Sequence, residues 1–332
     1  MKVKSLGRLI HWISFMNFFS DLERLSYQTR TKKLKKSVMD INAYQEQAKA
    51  TIQKHNSENK LSEIVPYLGI IGEIGSVVTQ LKIKFRDGES YVAFKDKLSE
   101  ELGDVLWYLS TIATQNDLTL EDIAKKNLTK IHDRFLVDDI DGYKDFDLNY
   151  PEGERFPSEF EIEFIPFNED GKNKIKIIDN RNGNLIGDPL TDNTYDDDGY
   201  RFHDIFHYGY LAVLGWSPVL RKLLNRKRKS NPLIDENEDG ARAQITEELV
   251  SLFIYQHTLD HDLLKYSKSV DSGIIKKVQN LVTKTEVREC SGKQWEHAIL
   301  SSYAIFNKLR ANNGGRVVVS KKNRSLIYLG KH

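Results

Sequence analysis

Residues 98–109 read Leu98-Ser99-Glu100-Glu101-Leu102-Gly103-Asp104-Val105-Leu106-Trp107-Tyr108-Leu109, and the reading of this stretch decides the fold. Leu98, Leu102, Val105 and Leu109, continued by Ile112, recur at steps of 3 and 4, the period of one helical face. Glu101 and Asp104 are three apart, so both carboxylates leave one side of that helix, beside the apolar stripe. Two like charges held together repel and are costly unless a cation compensates them. A hard divalent ion with oxygen ligands resolves the conflict, and Mg²⁺ suits a site with few carboxylates plus substrate phosphates. An ordinary solvated helix face has the same spacing, so the pair alone does not choose between the two.

Working outward, Leu68, Ile71, Ile74, Val78 and Leu81 form a second helical stripe that Phe85-Arg86-Asp87-Gly88 brings to an end. Within it, Gly72-Glu73-Ile74-Gly75-Ser76 offers Glu73 as a third oxygen donor across an antiparallel helix pair. Gly72 and Gly75 are costly inside a helix, which close backbone approach or room for a ligand would explain. On the other side, Thr119 with Asp122 is a capping-box signature for a helix through Phe135. With the helical spacing that begins near Ile41, four helices joined by short loops predict an antiparallel bundle over residues 39–137.

Four blocks in this order are fairly specific: Tyr67–Glu73, Lys82–Gly88, Glu100–Leu109 and Asn127–Phe135. Together they resemble the MazG-type all-α nucleoside triphosphate pyrophosphohydrolases over about residues 40–135. The resemblance implies cleavage between the α- and β-phosphates of a nucleotide, with Mg²⁺, or Mn²⁺ in its place, held by helix carboxylates. It makes Glu73, Glu101 and Asp104 the metal ligands and turns Asn127, Lys130 and Arg134 toward the nucleotide. The latter three also share a helix face by spacing, and a triphosphate needs such cations and donors. Lys82 and Lys84 are further phosphate contacts or plain surface. The expected chemistry is attack of a metal-activated water on phosphorus, with Glu100 either orienting that water or solvated. One position departs from the family pattern: its second acid on the first helix, three residues after Glu73, is here Ser76. Such folds commonly associate, so a homo-oligomer, or an internal pseudo-dimer of the two halves, is expected.

Composition changes after Ile140. Asp138, Asp139, Asp141, Asp145 and Asp147, then Pro151, Gly153 and Pro157, read as a linker over 138–158. A second helical domain with a small β element follows over 159–332. Phe160–Phe167 and Lys174–Ile177 alternate on either side of Asp170-Gly171, a predicted hairpin, and Arg316–Val319 with Ser325–Tyr328 predict another. Helical periodicity covers Phe202–Leu224, Ala241–His257 and Trp295–Leu309. His203, Asp204 and His207 lie within about one helical turn, and two histidines at i,i+4 can grip one metal or serve the core. Ile245–Tyr255 parallels Leu98–Tyr108 around a shared Glu-Glu-Leu, with Ser251 where Asp104 stands. The parallel raises a diverged repeat and adds Glu247 and Glu248 to the second candidate site; the basic run Arg226–Lys229 reads as a solvated helix end.

The chain has 332 residues, of which 29% are charged, with a net charge of +1. That size suits two cores, and no global field points to nucleic acid or a membrane. Residues 1–38 form an N-terminal extension whose basic start and apolar run Leu9–Phe19 fall well short of the ~20 residues of a membrane span. A lone cysteine, Cys290, suits the cytoplasm. Two other functions stand beside nucleotide hydrolysis. One is a non-catalytic nucleotide-binding module, and the other a metal phosphohydrolase centred on His203, Asp204 and His207.

Overall fold

The computed structural model describes residues 39–52, 61–135, 142–191, 193–195 and 197–331. The extension over 1–38 lies outside them. The chain is mainly helical, with ten α-helices and one five-stranded sheet among the described residues. It divides into two compact units, and the division falls after Asn127.

The first unit holds α1 (Ile41–Lys49), α2 (Leu61–Asp87), α3 (Phe94–Gln115) and the start of α4 (Leu120–Phe135), within which the division falls. The side chain of Asp40 caps α1 by accepting from Ala43 N at 2.7 Å. Buried Gln45 secures the turn between α3 and α4, donating to Leu118 O at 2.9 Å and accepting from Leu120 N at 2.7 Å. The hydroxyl of Thr119 accepts from Asp122 N at 3.0 Å, as its spacing predicts for the start of α4. Contacts between α2 and α3 run in opposite sequence directions: Asn116 donates to Tyr67 and Gln80 to Glu101. The two helices are therefore antiparallel. At Gly69 an added Cβ would lie 2.2 Å from the Tyr108 ring, so the close approach expected of a glycine falls here. Around Gly72 and Gly75 nothing stands within 4 Å of such an atom; those two positions face open space.

Among the described residues of the first unit, the apolar stripe of α2 does not form a bundle interior. Leu68 is 63% exposed, Ile71 66% and Phe85 87%, and Ile74, Val78 and Leu81 are exposed too. The periodicity correctly gives a helix with one apolar face, and among the described residues of this unit nothing covers it. By length and composition alone, the helix over 63–90 could also cross a membrane.

The second unit carries β1 (Glu159–Glu169), β2 (Lys172–Asp179), β3 (Asn184–Leu190), α5 (Ile205–Leu214), α6 (Pro218–Leu223), α7 (Pro232–Asn237), α8 (Ala241–Leu259), α9 (Ser272–Leu281), α10 (Gly292–Asn312), β4 (Gly315–Ser320) and β5 (Ser325–Gly330). Both predicted hairpins form, and they join in one antiparallel sheet of order β3-β2-β1-β4-β5. Alternation buries Phe160, Ile162 and Phe164 of β1 beside Ile175, Ile177, Val317 and Val319. Helix α5 is buried along its whole length and packs on α10. Their crossing is tight, since a Cβ on Gly209 would lie 1.7 Å from Ser302 Oγ. Phe202–Leu224 is not one helix. Gly215, at φ 69°, ends α5, and Ser217 caps α6 ahead of Pro218.

Three further expectations need correction. Residues 142–158 are part of the second unit's core rather than a linker: Asp147 is buried in an ion pair with Arg221, and Phe156 joins the apolar cluster. The basic run Arg226–Lys229 is not simply solvated either. Arg228 is 1% exposed and bonds Asp239 and Glu286, each at 2.7 Å. The element order of this unit, with strands before and after its helices, also differs from that of the first, so the shared Glu-Glu-Leu does not extend to a repeated fold.

Candidate active site

Oxygens of Glu73 on α2 and of Glu101 and Asp104 on α3 lie within 4.8 Å of one another. The i,i+3 spacing puts the α3 pair on one side of its helix, and the antiparallel crossing brings Glu73 to them. Partial burial, then the charges of Asp104 and Glu101, raise the Glu73 carboxyl above its usual range. Such crowding of hard oxygen donors is what a divalent cation fits, with three donors leaving room for water and phosphate oxygens.

Side chains that the sequence reading passed over complete the surroundings. Gln80 Nε2 donates to Glu101 Oε1 at 2.9 Å, and Tyr91 donates its hydroxyl proton to Gln80 Oε1 at 2.6 Å. This relay fixes the direction of the Glu101 carboxylate. Its signal was present in the sequence, because Gln80 lies two helical turns beyond Glu73 and so on the same face. From α1, Tyr44 senses the cluster: burial, then the Asp104 charge, raises its pKa.

Other expected residues stand elsewhere. Glu100 pairs with Lys97 at 2.9 Å on an exposed surface and is not one of the clustered carboxylates. Lys84 bonds Glu89 and Gly88 O, at 3.2 and 3.0 Å. Lys82, Asn127 and Lys130 are exposed, Ser76 is half-buried, and the side chain of Arg134 lies outside the described residues.

In the second unit, His203, Asp204 and His207 are all buried, with candidate ligand atoms within 4.8 Å of one another. His207 Nδ1 is 2.8 Å from Glu247 Oε1. Glu247 is itself fully buried and accepts from Ser217 Oγ at 2.6 Å and Val219 N at 2.8 Å. Glu248 reaches the other side of the ring, its Oε1 3.4 Å from His207 Nε2. Burial disfavours a charge on His207, but Glu247 and then Glu248 outweigh it and raise its pKa well above the usual value.

Two stretches of the chain match known families. Residues 64–135 match the MazG nucleotide pyrophosphohydrolase domain, and residues 141–332 match the MazG C-terminal domain. The chain belongs to the MazG family. The clustered carboxylates of this MazG chain thus fall within its matched nucleotide pyrophosphohydrolase domain, and the buried histidines within its matched C-terminal domain. It is 35% identical over 69 residues to the Gene 37 protein of Mycobacterium phage L5, a stretch covering 20% of this chain and 60% of that relative. No solved structure matches the MazG chain.

Proposed function

We propose that the first unit is a Mg²⁺-dependent nucleoside triphosphate pyrophosphohydrolase, releasing a nucleoside monophosphate and pyrophosphate. The observation that carries this reading is the convergence of Glu73, Glu101 and Asp104 from two helices inside the matched domain. Bound there, Mg²⁺ or Mn²⁺ supplies positive charge for the phosphates and lowers the pKa of a water. The chain's own residues hold that charge in place: the three carboxylates offer oxygens, Gln80 fixes Glu101, and Tyr91 fixes Gln80. Asn127, Lys130 and Arg134 are the proposed contacts to the nucleotide. Incubating the protein with each common ribo- and deoxynucleoside triphosphate plus Mg²⁺ should yield pyrophosphate and no orthophosphate from at least one of them. Tight nucleotide binding with no product from any of them would instead identify a non-catalytic binding module.

The exposed stripe of α2 supports a homo-oligomer. A second copy is the proposed cover rather than lipid, because the same helix carries Glu73 and Gln80 in its middle, where lipid burial is expensive. Light scattering should give a dimer or larger for the native chain and a shift toward monomer for Ile71→Asp. A wild-type monomer would sink this part. The cytoplasm is the proposed compartment, supported by Cys290, a free buried thiol whose pKa burial pushes up to about 12.

A further inference from the structure

We propose that His203, Asp204, His207 and Glu248 form a second metal site, for a first-row divalent transition ion, within the C-terminal unit. His203 Nδ1 lies 3.1 Å from Tyr200 O, a carbonyl that can only accept, so in the neutral ring Nδ1 carries the proton and Nε2 the lone pair a metal needs. His207 turns Nδ1 toward Glu247 in the same way. Its Nε2 is buried and faces Glu248 Oε1 at 3.4 Å, a long contact that leaves it poorly satisfied. A buried ring nitrogen so weakly satisfied is costly, and coordination removes the cost.

The surrounding groups match what metal sites require. A carboxylate behind a ligating histidine orients the ring and raises its basicity, and Glu247, held by Ser217 and the Val219 amide, is placed to do so. Two imidazoles with two carboxylates form a mixed nitrogen–oxygen set suited to Zn²⁺, Mn²⁺, Fe²⁺ or Co²⁺, unlike the all-oxygen cluster of the first unit. One of the four proposed ligands reaches the surface: Glu248 is exposed and lines a pocket of about 380 Å³ together with Val219, Lys222, Gln244 and Ile245.

The alternative is a protonated His207 held between Glu247 and Glu248 with no ion. Co²⁺ titration separates the two, using the 332-residue chain carrying Glu101→Gln so that the first unit's cluster is disabled. The site predicts one bound Co²⁺ per chain, with a ligand-field absorption characteristic of nitrogen coordination. Adding Glu247→Gln should weaken binding about 10- to 100-fold, the usual effect of losing a carboxylate behind a ligating histidine. His207→Gln should abolish it. Glu248, being half-exposed, can be replaced by Gln without disturbing the core, and that variant should also bind more weakly. No Co²⁺ bound to the parent chain, or binding left unchanged by Glu248→Gln and Glu247→Gln, overturns the proposal. Neither result depends on nucleotide hydrolysis by the first unit.

Discussion

Replacing Asp104 by Asn, or Glu101 by Gln, is expected to cut pyrophosphate release about a hundredfold or more while leaving the melting temperature unchanged or slightly higher. The two readouts move apart because the carboxylates are set against each other in the free protein. Glu73 titrates above its usual range through partial burial and the charges of Asp104 and Glu101. Neutralising either neighbour relieves that repulsion, so folding loses nothing. The same change removes one of the three clustered oxygen donors found among the described residues, and a full negative charge, from the proposed cation site. A loss of about 3 kcal/mol of transition-state stabilisation corresponds to roughly a hundredfold in rate. A pyrophosphate assay and a thermal melt on each variant suffice. Full activity in either variant would remove the carboxylate cluster from the mechanism.

Asp239→Asn should be the most damaging single change to the second unit. Asp239 is fully buried and accepts from Arg228 N at 2.7 Å and Arg228 Nη2 at 2.7 Å, with Arg221 Nε at 3.2 Å. Both guanidiniums are 1% exposed. Removing the shared carboxylate leaves buried positive charge undercompensated, at a cost of about 3–5 kcal/mol. A domain with about 5–15 kcal/mol in total cannot absorb that easily. Urea denaturation should show the loss, and Lys227→Ala, which breaks the more exposed Lys227–Asp235 pair, should change stability by less than about 1 kcal/mol. Similar losses for the two variants would mean that the buried network is not what holds this unit together. The neighbouring Asp147 sets the acid limit of the network. Burial pushes its carboxyl up, but Arg221 and Lys321 outweigh this and hold it below the ordinary value. Its stabilisation is therefore complete above the unfolded pKa of about 3.9 and is lost only as pH falls through the lower folded value.

Local signals in the sequence proved the most legible. Thr119 and Asp122 mark the start of α4, Asp170-Gly171 the β1–β2 turn, and the spacing of Glu101 and Asp104 the shared helix side. Gly215-Trp216-Ser217-Pro218 was equally local: a helix stop followed by a helix start, hidden because apolar residues continue on both sides. What stayed hidden depends on partners distant in sequence. Arg228 looks like its three basic neighbours until Asp239 and Glu286, 11 and 58 positions away, enclose it. His207 acquires its meaning from Glu247, 40 positions on. The α2 stripe shows the reverse. Periodicity identifies an apolar face but carries no information on what covers it, and the described residues of this unit leave it exposed.

The position of β1 in the sheet has a consequence for biosynthesis. Its partners are β2, which follows at once, and β4, where Glu159 meets Ser320. About 160 residues must be translated between those two, on the order of ten seconds at ordinary elongation rates. During that interval β1, β2 and β3 can pair, but one edge of β1, bearing Phe160, Ile162 and Phe164, waits for a strand still inside the ribosome. An open, apolar edge is where nascent chains stick to one another, so this unit is most vulnerable just before its last two strands emerge.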